Sequence, residues 1–243
     1  MRMYTFTKRC TKEILRDPLN LAFGLGFPVV LLLLLTAIQS NIPVELFNIE
    51  RLAPGISVFG LSFMTLFSAT LIAKDRESAL LQRLYTTPLT SSDYILGYML
   101  PIIPISVMQS IVCYIFAAFL GLPITVNIIY AILATIPVTI IYVALGLLCG
   151  SLLNVKQVGG ICGALLTNLS AWLSGVWFDI EFAGEGFAKV ANVLPFLHAV
   201  ELERAVLSGN FSSAIPHIPY IIVYAVGLTI AAIFIFLHQA KKQ

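Results

Sequence analysis

Residues 21–38 read LAFGLGFPVVLLLLLTAI, and none of them is charged. Their central part, VVLLLLL at 29–35, is apolar on every face, whereas a strand of a membrane barrel would alternate between apolar and polar positions. A helix needs about 20 residues to cross a hydrocarbon core about 30 Å thick. A helix also satisfies its backbone hydrogen bonds within one segment. This run therefore predicts a membrane-spanning α-helix.

The composition of the whole chain agrees with that prediction. The 243 residues are 59% hydrophobic and 11% charged, with a mean hydropathy of +0.95. A soluble domain carries about 25% charged residues, so most of this surface does not face water. The net charge of +2 and the absence of a basic cluster with interleaved aromatic residues give no indication of nucleic acid as a partner.

The apolar runs predict an all-α integral membrane protein with six transmembrane helices. All 26 Lys, Arg, Asp and Glu residues lie outside these runs, as expected if the runs lie in lipid. We expect a six-span transmembrane domain over 21–243, preceded by an amphipathic helix at the membrane surface over 1–20. The predicted spans are 21–38, 53–73, 96–118, 124–149, 158–178 and 216–237.

The distribution of Lys and Arg predicts the orientation. With six spans, eleven of these residues lie on the side of the termini and three on the other side. Cytoplasmic loops carry the positive excess. We therefore predict a multi-pass protein of the cell membrane with both termini and the 74–95 loop in the cytoplasm.

The first 20 residues have the pattern of a helix lying on a membrane. Met3, Phe6, Cys10 and Ile14 fall on one face, while basic residues repeat every four positions on another, as in interfacial helices. The predicted interfacial cations are Lys8, Arg9, Lys12 and Arg16. The alternative is a frayed, solvated basic tail.

Residues 179–215 form a long segment on the outer side before the last span. Its pattern predicts two short outer helices that are broken at Pro195, the second of which ends at Gly209. Glu201 and Arg204 are one helical turn apart, so we expect them to pair.

The densest charge in the chain, KDRE at 74–77, leads into regularly spaced leucines. An apolar ridge with a charged rim is typical of a docking surface. The alternative is an ordinary helix extension with solvated charges. The candidate docking residues are Lys74, Asp75, Arg76, Glu77, Leu80, Leu81, Arg83, Leu84 and Pro88.

Three motifs in order resemble those of a type-2 ABC exporter permease, the transmembrane subunit of an ABC transporter. They are RDP at 16–18 followed by Phe27-Pro28, KDRE at 74–77 leading to TPLT at 87–90, and LSGVWF at 173–178 followed by LPFLHA at 194–199 and Arg204. The chain departs from the family pattern at Ala79, where glycine is common, and at Tyr98, where lysine often follows the glycine.

The resemblance implies a half-transporter that pairs with a second permease, identical or not, and binds cytoplasmic ABC ATPase subunits. It also implies that the docking residues form an ATPase-coupling loop, and that ATP and Mg²⁺ are bound by the ATPase. The chain itself has no Gly-x-x-x-x-Gly-Lys-Ser/Thr motif, so we expect it not to be an enzyme. We also expect no cofactor, catalytic residue or metal site in this chain.

Gln109 and Asn168 are the most polar side chains deep within the predicted spans. They either line a translocation path or hydrogen-bond between helices. The apolar spans suit a hydrophobic or amphipathic substrate, alongside contacts with membrane lipids. The alternative function is a channel-type or ion-coupled transport protein without an ATPase partner. Ion coupling requires an ionisable side chain at depth, and the predicted spans contain no Lys, Arg, Asp or Glu.

Overall fold

A computed structural model of the chain describes residues 2–43, 46–78 and 90–240, and these residues form helices and turns with no strand among them. The α-helices are α1 Arg2–Leu15, α2 Pro18–Leu21, α3 Phe27–Gln39, α4 Ile49–Glu77, α5 Ser91–Met99, α6 Ile102–Phe119, α7 Asn127–Leu152, α8 Val155–Val158, α9 Thr167–Leu173, α10 Glu185–Val193, α11 Pro195–Leu207, α12 Phe211–Ala214 and α13 Ile218–Ala240. The π-helical segments are Ala22–Gly26 and Gly159–Leu166, and the 3₁₀ turns are Ile180–Ala183 and Ile215–His217.

Five helices of the described chain are long and apolar enough to cross a membrane. They are Ala22–Gln39, Ile49–Glu77, Ser92–Phe119, Asn127–Leu152 and Phe211–Gln239. They correspond to five of the six predicted spans, so the all-helical membrane class is confirmed for the described residues.

The remaining predicted span, 158–178, is not among those five helices. Its helical structure runs from α8 through the π-helical segment to the end of α9 at Leu173. The helix ends there because Gly175 has a φ of +69°, and its carbonyl accepts a hydrogen bond from Arg204 Nη2 at 3.0 Å. The predicted end at 178 is therefore wrong by five residues, and the count of six spans is not established.

Helix α4 lies at the centre of the bundle and is the most buried of the five candidate spans. Helix α7 packs closely on it through Gly146 and Gly150. A Cβ atom on Gly146 would lie 2.8 Å from the Thr65 carbonyl oxygen, and one on Gly150 would lie 2.8 Å from that of Ala69. Small residues at such positions let helices approach closely in lipid. Gly146 and Gly150, one helical turn apart, therefore serve packing within the subunit.

The predicted N-terminal helix is present as α1, but its apolar face is covered by protein. Phe6, Cys10 and Ile14 are buried. The Phe6 ring packs edge-on against Tyr94 and Tyr98 of α5, with centroids 5.7 and 5.0 Å apart. Aromatic rings favour this edge-to-face geometry. The apolar stripe expected to face lipid thus anchors α1 to the bundle.

The two short helices predicted around Pro195 are present as α10 and α11. Pro195 is the first residue of α11, where its missing N–H costs nothing. Gly209 follows the helix with a φ of +75°. Helix α11 packs against α4 and α7, so it carries buried side chains into the bundle although it is too short to span a membrane.

Candidate functional site

Asp75, in the last turn of α4, is buried and binds two other helices. The two terminal guanidinium nitrogens of Arg9 in α1 donate to the Asp75 carboxylate, with Nη2 2.5 Å from Oδ1. The hydroxyl of Tyr98 in α5 donates to Oδ2 at 2.8 Å. Because Asp75 is only 1% exposed, its charge is tolerated by virtue of these partners. The residue does not contribute to an exposed rim.

Arg9 completes this triad from the partly exposed side. It also pairs with Glu13, one turn along α1, at 2.5 Å. Burial alone would lower the pKa of Arg9, but the hydrogen bond and charge of Asp75, with the charge of Glu13, hold it above its usual value. Burial likewise raises the pKa of the neighbouring Cys10 thiol to about 12, so this cysteine stays protonated and serves packing.

Arg76, the next residue of the run, caps the end of α7. Its Nη1 donates to the Ser151 carbonyl, and its Nη2 donates to the Leu153 carbonyl at 2.6 Å. The last carbonyls of a helix have no intrahelical donor and carry partial negative charge. A guanidinium at this position therefore ties the end of α4 to the end of α7.

Glu77 binds the start of the following helical segment. Its Oε1 accepts a hydrogen bond from the Val155 backbone N–H at 2.8 Å. Asn154 caps the same end by accepting from the Gln157 backbone N–H, also at 2.8 Å. Backbone donors at a helix start are unpaired within the helix and favour a negative charge. Glu77 thus links α4 to the segment that begins at Val155.

Lys74 provides the fourth link. Its Nζ lies 3.2 Å from Asp17 Oδ2, and Asp17 in turn accepts from the Asn20 backbone N–H at 3.2 Å. Lys74 is exposed, so this pair is worth at most about 1 kcal/mol. It holds the connection between α1 and α3 close to α4.

The run at 74–77 therefore binds five other segments of the chain, which are α1, α5, the connection after α1, the end of α7 and the start of α8. We call Lys74, Asp75, Arg76 and Glu77 with these contacts the α4 junction. The sequence predicted charges that surround a leucine ridge. In the structure these four charged side chains bind other segments of the same chain. The other predicted docking residues, Leu80, Leu81, Arg83, Leu84 and Pro88, lie outside the described residues, so their role stays a prediction.

The four predicted interfacial cations divide into two groups. Lys8, Lys12 and Arg16 of the N-terminal segment are exposed, as the spacing predicted. Arg9 instead points to Asp75. The spacing of charges alone does not distinguish these two roles.

An apolar groove of about 430 Å³ lies between α3, α4 and the segment from Gly159 to Ala171. None of the described residues that line it is charged. Asn168 lies on its wall and is exposed, with Nδ2 donating to the Ala164 carbonyl at 2.8 Å. The aromatic residues of the lining are Phe23, Phe27, Phe59, Phe63 and Trp177.

Gln109, the other predicted path residue, is fully buried and lies away from this groove. Its Nε2 donates to the Ser57 carbonyl and to Cys113 Sγ, both at 3.3 Å. It fills the space left by Gly60, where a Cβ atom would lie 2.3 Å from Nε2. The structure does not bring Gln109 and Asn168 together.

Comparison with known proteins identifies the family. A family model described as ABC-2 type transporter matches residues 1–208. The chain belongs to the ABC-2 type transporter family. The match confirms the resemblance to a type-2 ABC permease, and it covers the α4 junction and the groove. No match was found among curated proteins.

Family membership and the apolar helices together make this ABC-2 protein a multi-pass transmembrane permease subunit. Such a subunit implies association with an ABC ATPase.

The far end of α4 in the ABC-2 protein carries a second ionic cluster. Arg204 pairs with Glu201 at 2.8 Å, as predicted, and also donates to the carbonyls of Gly175 and Arg51. Arg51 pairs with Asp179 at 2.7 Å. This cluster borders a cavity of about 480 Å³ and fixes the start of α4 to α11.

Sequence reasoning assigned no role to Tyr98 or Glu203 in this ABC-2 chain. Glu203 is 0% exposed. Its position held a signal, because Phe196, Val200, Glu203 and Leu207 follow the three-to-four-residue spacing of one helix face, and the other three are apolar. Tyr98 was noted only as a departure from the family pattern.

Proposed function

We propose that the chain is the permease subunit of an ATP-driven exporter that moves a hydrophobic or amphipathic substrate outward. A separate ATPase subunit would bind ATP and Mg²⁺ and hydrolyse the nucleotide. The observation that carries this proposal is the α4 junction, where four consecutive charged residues bind five segments. Movement of the loop that follows Glu77 would reach each of these segments.

The path to the substrate region runs through Glu77. This residue binds the N–H of Val155, and the helical segment from Val155 continues to Leu173. The same segment supplies one wall of the apolar groove, including Asn168. A displacement at the end of α4 would therefore move a groove wall. We propose that the candidate coupling loop, Lys74 to Pro88, docks on the ATPase.

The groove is the proposed place of the substrate. Its aromatic lining without charge favours an apolar or amphipathic molecule. We propose that a second permease, identical or different, closes the open side of this groove. Asn168 would then face the path, whereas Gln109 would act in packing between α4 and α6.

We propose that the chain crosses the cell membrane six times, with Val155–Leu173 as the fifth span in order. With these six spans, eleven of the fourteen Lys and Arg residues lie on the side of both termini, which suits cytoplasmic termini. The unit 1–20 would lie at the cytoplasmic surface, with the spans in 21–243. Exposed Lys8, Lys12 and Arg16, together with exposed Tyr4 and Leu15, suit contact with lipid headgroups.

The topology makes one direct prediction at Lys189. This residue lies in α10, beyond α9 and before the last candidate span. A membrane-impermeant amine or thiol reagent should label Lys189, or Lys189→Cys, from outside intact cells, while Lys12→Cys should react only after the membrane is opened. The opposite labelling pattern would overturn the orientation.

Copurification tests the proposed partnership. The affinity-tagged full chain, expressed from its native genomic context, should bring down one ATPase that carries a phosphate-binding Gly-x-x-x-x-Gly-Lys-Ser/Thr motif. A channel-type or ion-coupled transporter would purify without such a subunit, and that result would favour the alternative function. An unrelated six-helix membrane protein with the same tag provides the control for nonspecific capture.

A further inference from the structure

Glu203 is a buried acid that the proposed transport function does not use. It lies in α11, which packs against α4 and α7, and its side chain is 0% exposed. The hydroxyl of Tyr114 in α6 donates to its Oε2 at 2.7 Å. The other oxygen, Oε1, is buried without a hydrogen-bond partner among the described residues. A single neutral donor therefore serves the whole carboxyl group.

Within the described parts of the chain, no positive charge compensates this carboxyl. Arg204, the next residue along the helix, is directed to Glu201 and to the Gly175 carbonyl. Arg51 of α4 is paired with Asp179. Helix α11 itself carries His198, Glu201 and Arg204. The other described ionisable groups on the helices around it are Glu50, Arg51, Lys74, Asp75, Arg76 and Glu77 on α4, Cys113 and Tyr114 on α6, Tyr130, Tyr142 and Cys149 on α7, Glu185 and Lys189 on α10, His217 just before α13, and Tyr220, Tyr224 and His238 on α13. Apart from burial, the hydrogen bond from Tyr114 is the one influence among the described residues on the pKa of the Glu203 carboxyl.

A buried carboxylate without a counter-ion costs several kcal/mol, and such a group avoids the cost by taking up a proton. Burial raises the pKa of Glu203 from 4.5 to about 8, although the hydrogen bond from Tyr114 lowers it. At neutral pH the group is therefore a neutral carboxylic acid in the described arrangement. The acid form removes the charge that α11 would otherwise carry into the bundle.

We propose that Glu203 is a proton-binding site whose occupancy holds α11 in place between α4 and α7. When α11 is inserted, the carboxylate takes one proton from solution and becomes the acid. When α11 withdraws, water reaches the group and the proton is released. Pro195 and Gly209 bound the helix on either side, so α11 is a distinct helical segment, and its withdrawal would also break the contacts of Arg204 with Gly175 and Arg51.

The Glu203 site lies in α11, before the last candidate span. It is independent of the α4 junction, which lies at the other end of α4. It also revises the argument against ion coupling. The predicted spans contain no Lys, Arg, Asp or Glu, yet α11 brings an acidic side chain into the bundle from outside those spans. The ligand inferred is the proton itself.

The sign of the pH dependence follows from linkage. Between the usual pKa of 4.5 and about 8, the inserted state binds one proton more than the withdrawn state. Insertion therefore weakens as pH rises through this window, by up to about tenfold per pH unit. Below the window both states are protonated, and above it neither is, so no further dependence on this group is expected there.

Infrared spectroscopy of the full chain in lipid nanodiscs tests the protonation. The wild type should show the carbonyl band of a carboxylic acid at pH 6, which disappears with a midpoint near 8. Glu203→Gln, a neutral substitute of the same shape, should lack the band. The hydrogen bond from Tyr114 lowers the pKa of Glu203. Tyr114→Phe removes this bond and should therefore raise the midpoint. Glu201→Gln, two residues away on the same helix and partly exposed, is the matched control and should keep the band.

The reactivity of Cys113 tests the movement. This thiol is buried beside the Glu203 site, so its modification by a water-soluble maleimide reports on withdrawal of α11. With the other three cysteines replaced, raising the pH from 6 to 8 should increase labelling more in the wild type than in Glu203→Gln, about tenfold or more after correction for thiol ionisation. Equal increases in both proteins, or a wild type without the acid band at pH 6, would overturn the proposal.

Discussion

Replacing Asp75 by alanine should destabilise the protein by about 3 kcal/mol, the lower end of the cost of breaking a buried ion pair. Arg9 and Tyr98 both donate to this carboxylate, and each would lose its partner. The lower end applies because the Arg9 side chain is 32% exposed and keeps its pair with Glu13. Thermal or denaturant unfolding of the purified full chain in detergent measures the loss. Helix α1 should become protease-sensitive first.

A double-mutant cycle separates this pair from general damage. If Arg9 and Asp75 act together, the combined alanine variant should cost less than the sum of the two single variants, with a coupling energy of about 1–3 kcal/mol. Glu185→Ala, which removes an exposed acid at the start of α10, should change stability by less than about 0.5 kcal/mol. Strict additivity of the Arg9 and Asp75 effects would contradict the triad.

Replacing Glu77 by alanine should leave the fold intact but reduce the coupling between ATP hydrolysis and movement of the groove. Glu77 is exposed, so the loss of its hydrogen bond to Val155 at 2.8 Å costs only about 1 kcal/mol. The bond is nevertheless a direct link between α4 and the segment that forms the groove wall. A conformational change is transmitted only through contacts that differ between two states. The ATPase should still bind and hydrolyse ATP in this variant.

The membrane class was predictable because it depends on hydropathy and length. Five of the predicted spans coincide with helices of sufficient length. An uncharged apolar run such as 21–38 is long enough to cross a membrane as a helix. The end of the 158–178 span was not predictable. It depends on Arg204, distant in sequence, reaching the Gly175 carbonyl, a contact that no local pattern encodes.

The contacts of the charged residues were less predictable, for a physical reason. Composition located the charged run at 74–77, but an exposed rim and a set of internal ties have the same sequence pattern. Asp75 is buried because Arg9 and Tyr98 come from α1 and α5 to meet it. Glu203 was missed because charge was expected only outside the bundle, whereas its acid form can be buried like a polar neutral residue.

The central claim is that the α4 junction passes force from the ATPase to the groove. The direct measurement is the ATP-dependent change in maleimide labelling of Asn168→Cys in the reconstituted complex, with the native cysteines replaced. ATP should change this labelling rate in the otherwise unchanged complex. Glu77→Ala should abolish most of that change while hydrolysis continues. Glu50→Ala, at the opposite end of α4, should preserve it. A full ATP-dependent change in the Glu77→Ala complex would contradict the account.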